Sequence, residues 1–318
     1  MSIELMGLTT GNETIKLYEP CSMVITRAWD SPAAQLDITL PHEGILDDLT
    51  RIQVKHDTEV LFAGFCDELV RSVDGGGAFV SISARTPGAL LCDNEALPKT
   101  YTDLTAQGYF NAEIKPLGFT ALTLPDTSAS AATFQLNKGH SIWEAFSILC
   151  FRLYGRDPHM TADNRLVVEA LTGDDPFIIS NEVTKTGVAR YCSLEYTTRR
   201  SSALSSIVYR DAGGAYSQLY NNPFGNELQV RRNRYVIPAP EYTGRPALDG
   251  YRRIMKGQAG IRSVRVAVPG LVNIHPGRAV YLQTGVTGDL LMAAYQVKII
   301  YTQSGCLTRL VLADPAYM

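Results

Sequence analysis

The sequence predicts a mainly β protein with an α+β insert: two similar small β-barrel domains plus a small α+β domain. Three observations predict it. First, the chain echoes itself. Arg51–Lys55, Leu61–Ser72 and Phe79–Ala84, with Gly75-Gly76-Gly77 before the last, recur in kind and order as Arg278–Leu282, Leu291–Thr302 and Leu307–Ala313, with Ser304-Gly305 before the last. Strand, turn, long strand, glycine turn and strand at matching lengths imply two copies of one unit, despite few identities. Second, apolar residues alternate with polar ones over many short runs, the pattern of sheets with one buried and one wet face. Third, one strongly capped helix stands alone in the middle of the chain. The expected domains are 1–97 (first barrel), 98–178 (α+β) and 179–318 (second barrel), the last with a loop and helix excursion at about 211–258.

The elements follow in order. Ile15–Tyr18 and Met23–Thr26 read as strands by their β-branched content, with a turn at Trp29–Pro32. Ala34–Leu40 alternates strictly, with Leu36, Ile38 and Leu40 on one side. The triple glycine after Asp74 reads as a hairpin turn. Beyond Pro98 a helix is expected over Asp103–Lys115, weakened by Gly108. The strongest helix follows His140. Ser141 is its N-cap and Glu144 completes a capping box, Ile142, Phe146, Leu149, Cys150 and Leu153 line one face, and Gly155 ends it. Asn164–Ala170, Ala189–Tyr196 and Ala203–Tyr209 read as strands, and Ala247–Lys256 as a helix with Leu248, Tyr251, Ile254 and Met255 inward and Gly250 as its weak point.

Composition narrows the function. The 318 residues suffice for two or three domains, and a net charge of −3 gives no general attraction to nucleic acid or an anionic membrane. The start, Met1–Leu5, has neither a basic patch nor an apolar run, so no secretory signal is expected, and no stretch approaches the ~18 apolar residues of a membrane span. Cys21, Cys66, Cys92, Cys150, Cys192 and Cys306 are scattered without CxxC spacing, which points to free thiols and a reducing cytoplasmic compartment for assembly.

No motif for chemistry stands out. His42, His56, His140, His159 and His275 form no ligand spacing, so no metal is expected. His140 and His275 read as surface or capping residues. The acid pairs Asp47-Asp48 and Asp174-Asp175 lie in turn-like contexts, where they solvate loops or serve helix N-termini. There is no G-x-S-x-G elbow and no phosphate-cradling glycine loop. No catalytic residue and no cofactor are therefore expected. One polar region combines Arg231, Arg232 and Arg234 with Tyr216, Tyr220, Phe224 and Tyr235. Arg with aromatics can hold single-stranded nucleic acid, but the acidic net charge favours a protein–protein contact, where the same residue types are common anchors.

Three stretches carry a resemblance. Gly260–Ser263 with Val268-Pro269-Gly270-Leu271-Val272-Asn273-Ile274-His275-Pro276-Gly277-Arg278-Ala279-Val280 resembles the second barrel of phage baseplate hub proteins. Ser31–Leu36 through Phe62–Phe65 resembles the first barrel, and Leu90–Asn94 the segment that closes it. Gly277-Arg278 departs from the frequent Gly-Asp. These are the central hubs of contractile phage tails, phage-like bacteriocins and injection particles, with type VI secretion spikes sharing the architecture. The resemblance implies a homotrimer giving two barrels per subunit to a ring. One side of that ring meets a hexameric tail tube or tube initiator, the other a trimeric central spike, with further baseplate proteins around it. It implies a structural, non-enzymatic protein of a virion or phage-like particle. Two rival expectations are a cell-wall-degrading tail enzyme and a receptor- or carbohydrate-binding module using Tyr216, Tyr220, Phe224 and Tyr235.

Overall fold

Alternating side chains build the first seven strands: β1 (Ile3–Thr9), β2 (Thr14–Lys16), β3 (Ser22–Ala28), β4 (Gln35–Pro41), β5 (Leu49–His56), β6 (Glu59–Asp74) and β7 (Gly77–Arg85). The structure is a computed structural model that describes residues 3–42, 48–171, 173–182, 186–211 and 213–318. Leu36, Ile38 and Leu40 are buried together on β4, as their spacing predicts. Gly75 and Gly76 form the loop between Asp74 and Gly77, which pair across it, and the Gly76 amide donates to Asp74 Oδ1 at 2.7 Å. The strands lie in the order β2-β1-β5-β6-β7-β4-β3.

The helix α1 (Ala89–Asp93) leads into the middle of the chain, so Leu90–Asn94, expected as a closing segment, is helical through Asp93. There follow β8 (Thr100–Thr105), α2 (Ala106–Tyr109), β9 (Leu122–Thr123), β10 (Ser130–Gln135), α3 (Ile142–Tyr154), β11 (His159–Met160) and β12 (Leu166–Val167). The helix expected at Asp103 starts instead at Ala106. Asp103 adopts a φ of 49°, and Thr105 caps the helix by accepting from the Gly108 amide. Helical structure then continues to Leu117 through a π turn and a 3-10 turn. The capping box on α3 forms as expected, with Ser141 accepting from the Glu144 amide, Glu144 accepting from the Ser141 amide, and Gly155 left-handed at the C-cap. α3 is buried on more than one side. Trp143 and Phe151, off the predicted apolar face, are buried as well as Phe146 and Leu149, in a core shared with Tyr109, Phe110 and Phe134.

The last part of the chain contains β13 (Phe177–Ser180), β14 (Val188–Ala189), β15 (Ser193–Thr198), β16 (Ser206–Arg210), β17 (Tyr216–Asn221), α4 (Pro223–Glu227), β18 (Asn233–Val236), α5 (Pro246–Ala259), β19 (Arg262–Pro269), β20 (Ala279–Gln283), β21 (Leu290–Thr302) and β22 (Gly305–Ala313). The strand expected over Ala189–Tyr196 is two strands, because Asn181 exchanges hydrogen bonds with the Tyr191 backbone and turns the chain between them. Seven of these strands lie in the order β14-β13-β20-β21-β22-β19-β15.

Five strands of each set correspond one to one. β3, β4, β7, β6 and β5 have the spatial order of β15, β19, β22, β21 and β20, and each series runs in the same chain order. The registers agree as well. Arg51↔Phe65 on β5 and β6 matches Ala279↔Ala293 on β20 and β21. Asp74↔Gly77 matches Thr302↔Gly305. Leu36↔Ala84 matches Val264↔Leu312, and Ser22↔Thr39 matches Ser193↔Ala267. Both long strands carry a register break at the same place, at Cys66/Glu68 and at Ala294/Gln296. A shared bulge position is a property of a common backbone plan rather than of chance strand pairing. Arg51 thus falls on Ala279, one residue past Arg278, and Asp74, not Ser72, falls on Thr302, so the echo in the sequence is offset from the structural equivalence by one or two residues.

The expectation of two barrels needs one correction. Among the described residues no closed barrel forms. Instead Gln296–Thr302 of β21 pairs antiparallel with Ser22–Ala28 of β3, so the two modules share one open, continuous sheet and one hydrophobic core. Each module has a strand edge to satisfy, and pairing two edges with one another does so as well as closure would. The excursion from β15 to β19 makes a separate sheet in the order β17-β16-β18, and α5 packs on it through Tyr209, Ile207 and Ile254. It folds back onto the middle of the chain. Tyr242 is buried in the α3 core, and Arg152 donates to the Glu241 and Thr243 carbonyls at 2.6 and 2.9 Å.

Candidate assembly interfaces

The joint between the modules is a strand ladder locked by one buried charge. On β3 the buried phase is Met23, Ile25 and Arg27, so an arginine occupies a position the alternation reserves for an apolar residue. Its guanidinium donates to Asn273 Oδ1 at 2.8 Å, to the Ile274 carbonyl at 2.9 Å and to the Leu61 carbonyl at 2.5 Å, which ties β3 to both modules. Burial lowers its pKa to about 10 against the opposing pull of Glu59, still high enough to keep it charged at neutral pH. Trp29 follows at the end of β3. Its amide donates to the Tyr295 carbonyl at 2.8 Å, His159 stacks on its ring at 4.3 Å, and Gly277 packs against it so closely that a Cβ would lie 2.6 Å from the indole. Gly277 also has a φ of 85°, where a side chain is strained. Tyr295, the bulge residue, donates from its hydroxyl to Asp30 at 3.0 Å. Sequence reading missed Arg27 and Trp29. The one available signal was the charge in phase with Met23 and Ile25.

The corresponding edges elsewhere carry no described strand. Glu68–Asp74 of β6 pairs with β7 on one side, and no described strand lies along its other edge; the same holds for β15 beyond its pairing with β19. Val70, Val73 and Tyr196 on these two strands are exposed, Val73 to 83%.

The aromatic and arginine residues singled out from the sequence divide into three groups. Tyr216 and Tyr235 meet edge to face at 5.4 Å on the outer side of the small sheet, exposed beside Leu219. Tyr220 and Phe224 turn inward, against Tyr251 and against Tyr317 and Arg262 respectively. Arg231, Arg232 and Arg234 are exposed. Arg231 and Arg232 line a groove with Arg200, Glu227 and Arg262, and Arg232 reaches the Ser201 carbonyl. Ion pairing at such exposed sites contributes little to stability.

Elsewhere the polar residues serve structure. All six cysteines are free; burial pushes the Cys66 thiol up to about 11 and Cys150 well above its usual value, which makes both poor nucleophiles. Cys192 is exposed. His140 and His275 are partly buried rather than surface residues: His140 pairs with buried Glu241 at 2.9 Å, and burial holds His275 at about 4. Asp48 pairs with Arg71, and Asp175 with Arg278, at exposed positions, whereas Asp47 lies outside the described residues. Among the described residues no cluster of three metal-ligating side chains occurs, and no helix is long and apolar enough to cross a membrane.

No family model matches the sequence, and no curated protein matches it significantly. Solved structures do match. A 43 kDa tail protein of prophage MuSo2 from Shewanella oneidensis superposes with a TM-score of 0.79 at 15% identity, each chain covered over 100% of its length. A tail protein from Neisseria meningitidis gives 0.74 at 16% identity, covering 98% of this chain and 96% of that one. An Escherichia coli component of the type VI secretion system, itself similar to bacteriophage T4 tail proteins, gives 0.60 at 8% identity over 99% of this chain and 77% of that one. The fold is that of phage tail proteins and of secretion-spike proteins related to them.

Proposed function

We propose that this chain is a structural hub protein of a phage tail or phage-like particle: a homotrimer that adapts a hexameric tail tube to a trimeric central spike. The observation that carries this reading is the pair of five-stranded modules with one strand order and one register on a single polypeptide. Three such chains present six near-equivalent units to a sixfold partner while keeping threefold symmetry for another. The shared fold with tail proteins and with a type VI secretion component supports the same role. The work is geometric, so no catalytic group is required, and the partners are the tube, the spike and neighbouring baseplate proteins within the particle. Subunit interfaces of a permanent ring should bury ~2,000 Å² or more in total per pair. Native mass measurement tests the trimer. Removing the chain from Thr186 onward takes away the second module, and intact trimers of that shortened protein would defeat the reading.

A second role on the same molecule rests on the exposed outer face of the small sheet. Tyr216 and Tyr235, with Leu219, form an aromatic platform suited to a protein or glycan contact, and Arg231, Arg232 and Arg234 are exposed a few residues away along the chain. Tyr216→Ala with Tyr235→Ala should abolish that contact and leave the ring intact. A zymogram on cell-wall substrate separates both readings from a lytic enzyme.

A further inference from the structure

Where the two modules meet the turn after β11, the chain encloses a cavity of about 120 Å³. β3 lines it with Arg27, the end of β7 with Thr86, the turn after β11 with Asn164, and the loop before β20 with His275. Leu61 and Phe62 of β6 add an apolar wall. Arg27 supplies the charge of this wall, and among the described residues no carboxylate lines it.

The polar lining is rich in unspent donors. Of the five N–H groups a guanidinium carries, Arg27 gives three to Asn273 Oδ1 and to the Ile274 and Leu61 carbonyls. Its Nε–H and one Nη2–H have no partner among the described residues. The Asn164 carboxamide and the His275 ring make no hydrogen bond among them either. Thr86 Oγ1 accepts from the Ala34 amide at 2.9 Å, which leaves its own hydrogen to donate. The partners Arg27 does have are all neutral. Glu59, the acid whose field it feels, reaches it only through Asn273, whose amide donates to Glu59 Oε1 at 2.6 Å. A buried cation without a directly paired anion is costly.

We propose that this cavity is a binding site for one small monovalent anion of the halide class, held by the free N–H groups of Arg27 with Asn164, Thr86 and His275 around it. Water satisfies donors but leaves the charge uncompensated. A single negative charge answers a single guanidinium, whereas a divalent anion would overshoot it. The volume suits a halide with a few waters, each of which takes roughly 30 Å³. The apolar wall of Leu61 and Phe62 favours a weakly hydrated ion. Such an ion binds the folded chain and not the unfolded one, so it tightens the joint between the modules by mass action. The site goes beyond the structural role proposed above and is complete within one chain.

Bromide tests it. Crystals soaked in sodium bromide should show an anomalous peak in the cavity within hydrogen-bond reach of the Arg27 guanidinium. In solution, the urea midpoint should rise in sodium bromide relative to sodium gluconate at equal ionic strength, because gluconate is too large to enter. Asn164→Asp keeps the side chain's size and the left-handed backbone at φ 58°. It places a carboxylate in the wall of the cavity and should weaken bromide binding by about tenfold or more. A cavity that holds only water at high bromide, or a bromide response that Asn164→Asp leaves unchanged, overturns the site. Both measurements are made on the isolated chain, so a failure of the trimeric ring leaves this inference standing, and its own failure leaves the hub reading standing.

Discussion

The two modules share a backbone plan and differ in what surrounds it. In the first, β3 and β4 are joined by a short turn at Trp29–Ala34; in the second, the equivalent β15 and β19 are separated by two helices and a three-stranded sheet. The first module adds β1 antiparallel to β5, whereas the second adds β13 parallel to β20. At the shared bulge the first module has Asp67, which holds Arg85 at 2.7 Å, and Arg85 in turn holds Asp93 of α1. The second has Tyr295, which reaches across the joint to Asp30. At the joint strand the first has buried Arg27, and the second has Thr198. The ladder is the same in the two modules and the side chains around it differ. Backbone pairing tolerates many side chains, while each neighbour a module docks against demands particular ones.

That contrast can be broken at its strongest point. Arg27→Met removes the donor from two buried carbonyls and from Asn273, and an unsatisfied buried acceptor costs about 1–3 kcal/mol. A loss of about 3 kcal/mol in denaturant unfolding is expected. Thr198→Met, at the equivalent exposed position, should change the stability of the isolated chain by less than about 0.5 kcal/mol. Equal effects at the two positions would show that Arg27 is not the lock.

The excursion unique to the second module gives the next effect. A Cβ on Gly250 would lie 1.6 Å from the Tyr209 hydroxyl, which donates to the Ala247 carbonyl at 3.2 Å. The sequence marks Gly250 as a weak point of the helix, and propensity alone would favour alanine there. The close packing reverses that sign. Gly250→Ala should cost about 2 kcal/mol through overpacking, and Tyr209→Leu in the same chain should recover part of it. Thermal unfolding of the single and double variants is the measurement.

A smaller effect should follow pH, from two histidines around the joint. Burial holds His159, stacked on Trp29, at about 4, and burial with the nearby charge of Arg27 holds His275 at about 4. Both stay neutral in the folded chain down to that pH, while in the unfolded chain they take up protons near 6.5. The unfolded state therefore binds more protons between the two values, and stability falls as pH drops from about 6.5 to 4. His159→Phe keeps the stack and should flatten roughly half of that slope in denaturant titrations at stepped pH. An unchanged slope would place the titration elsewhere.

Much of this protein is legible in its sequence because the signals are local. Alternation over Leu36, Ile38 and Leu40 sets a strand and its buried face. Ser141 with Glu144 sets a helix start, and Asp74 with the glycines sets a hairpin, all through contacts a few residues apart. The repeat itself also shows, since one backbone plan imposes one pattern twice. What tertiary structure alone decided is where strand edges meet. A hydrogen-bonded edge is made by peptide groups that every residue carries, so Ser22–Ala28, covered by β21, and Ser193–Thr198, with no described strand beyond β19, look alike as sequence. The helix expected from Asp103 starts three residues late for the same reason: pairing of Thr100–Thr105 with Ser130–Gln135, distant in the chain, outweighed local helical preference there. Arg27 and Gly250 likewise acquire their roles only when carbonyls and a tyrosine from far along the polypeptide close around them.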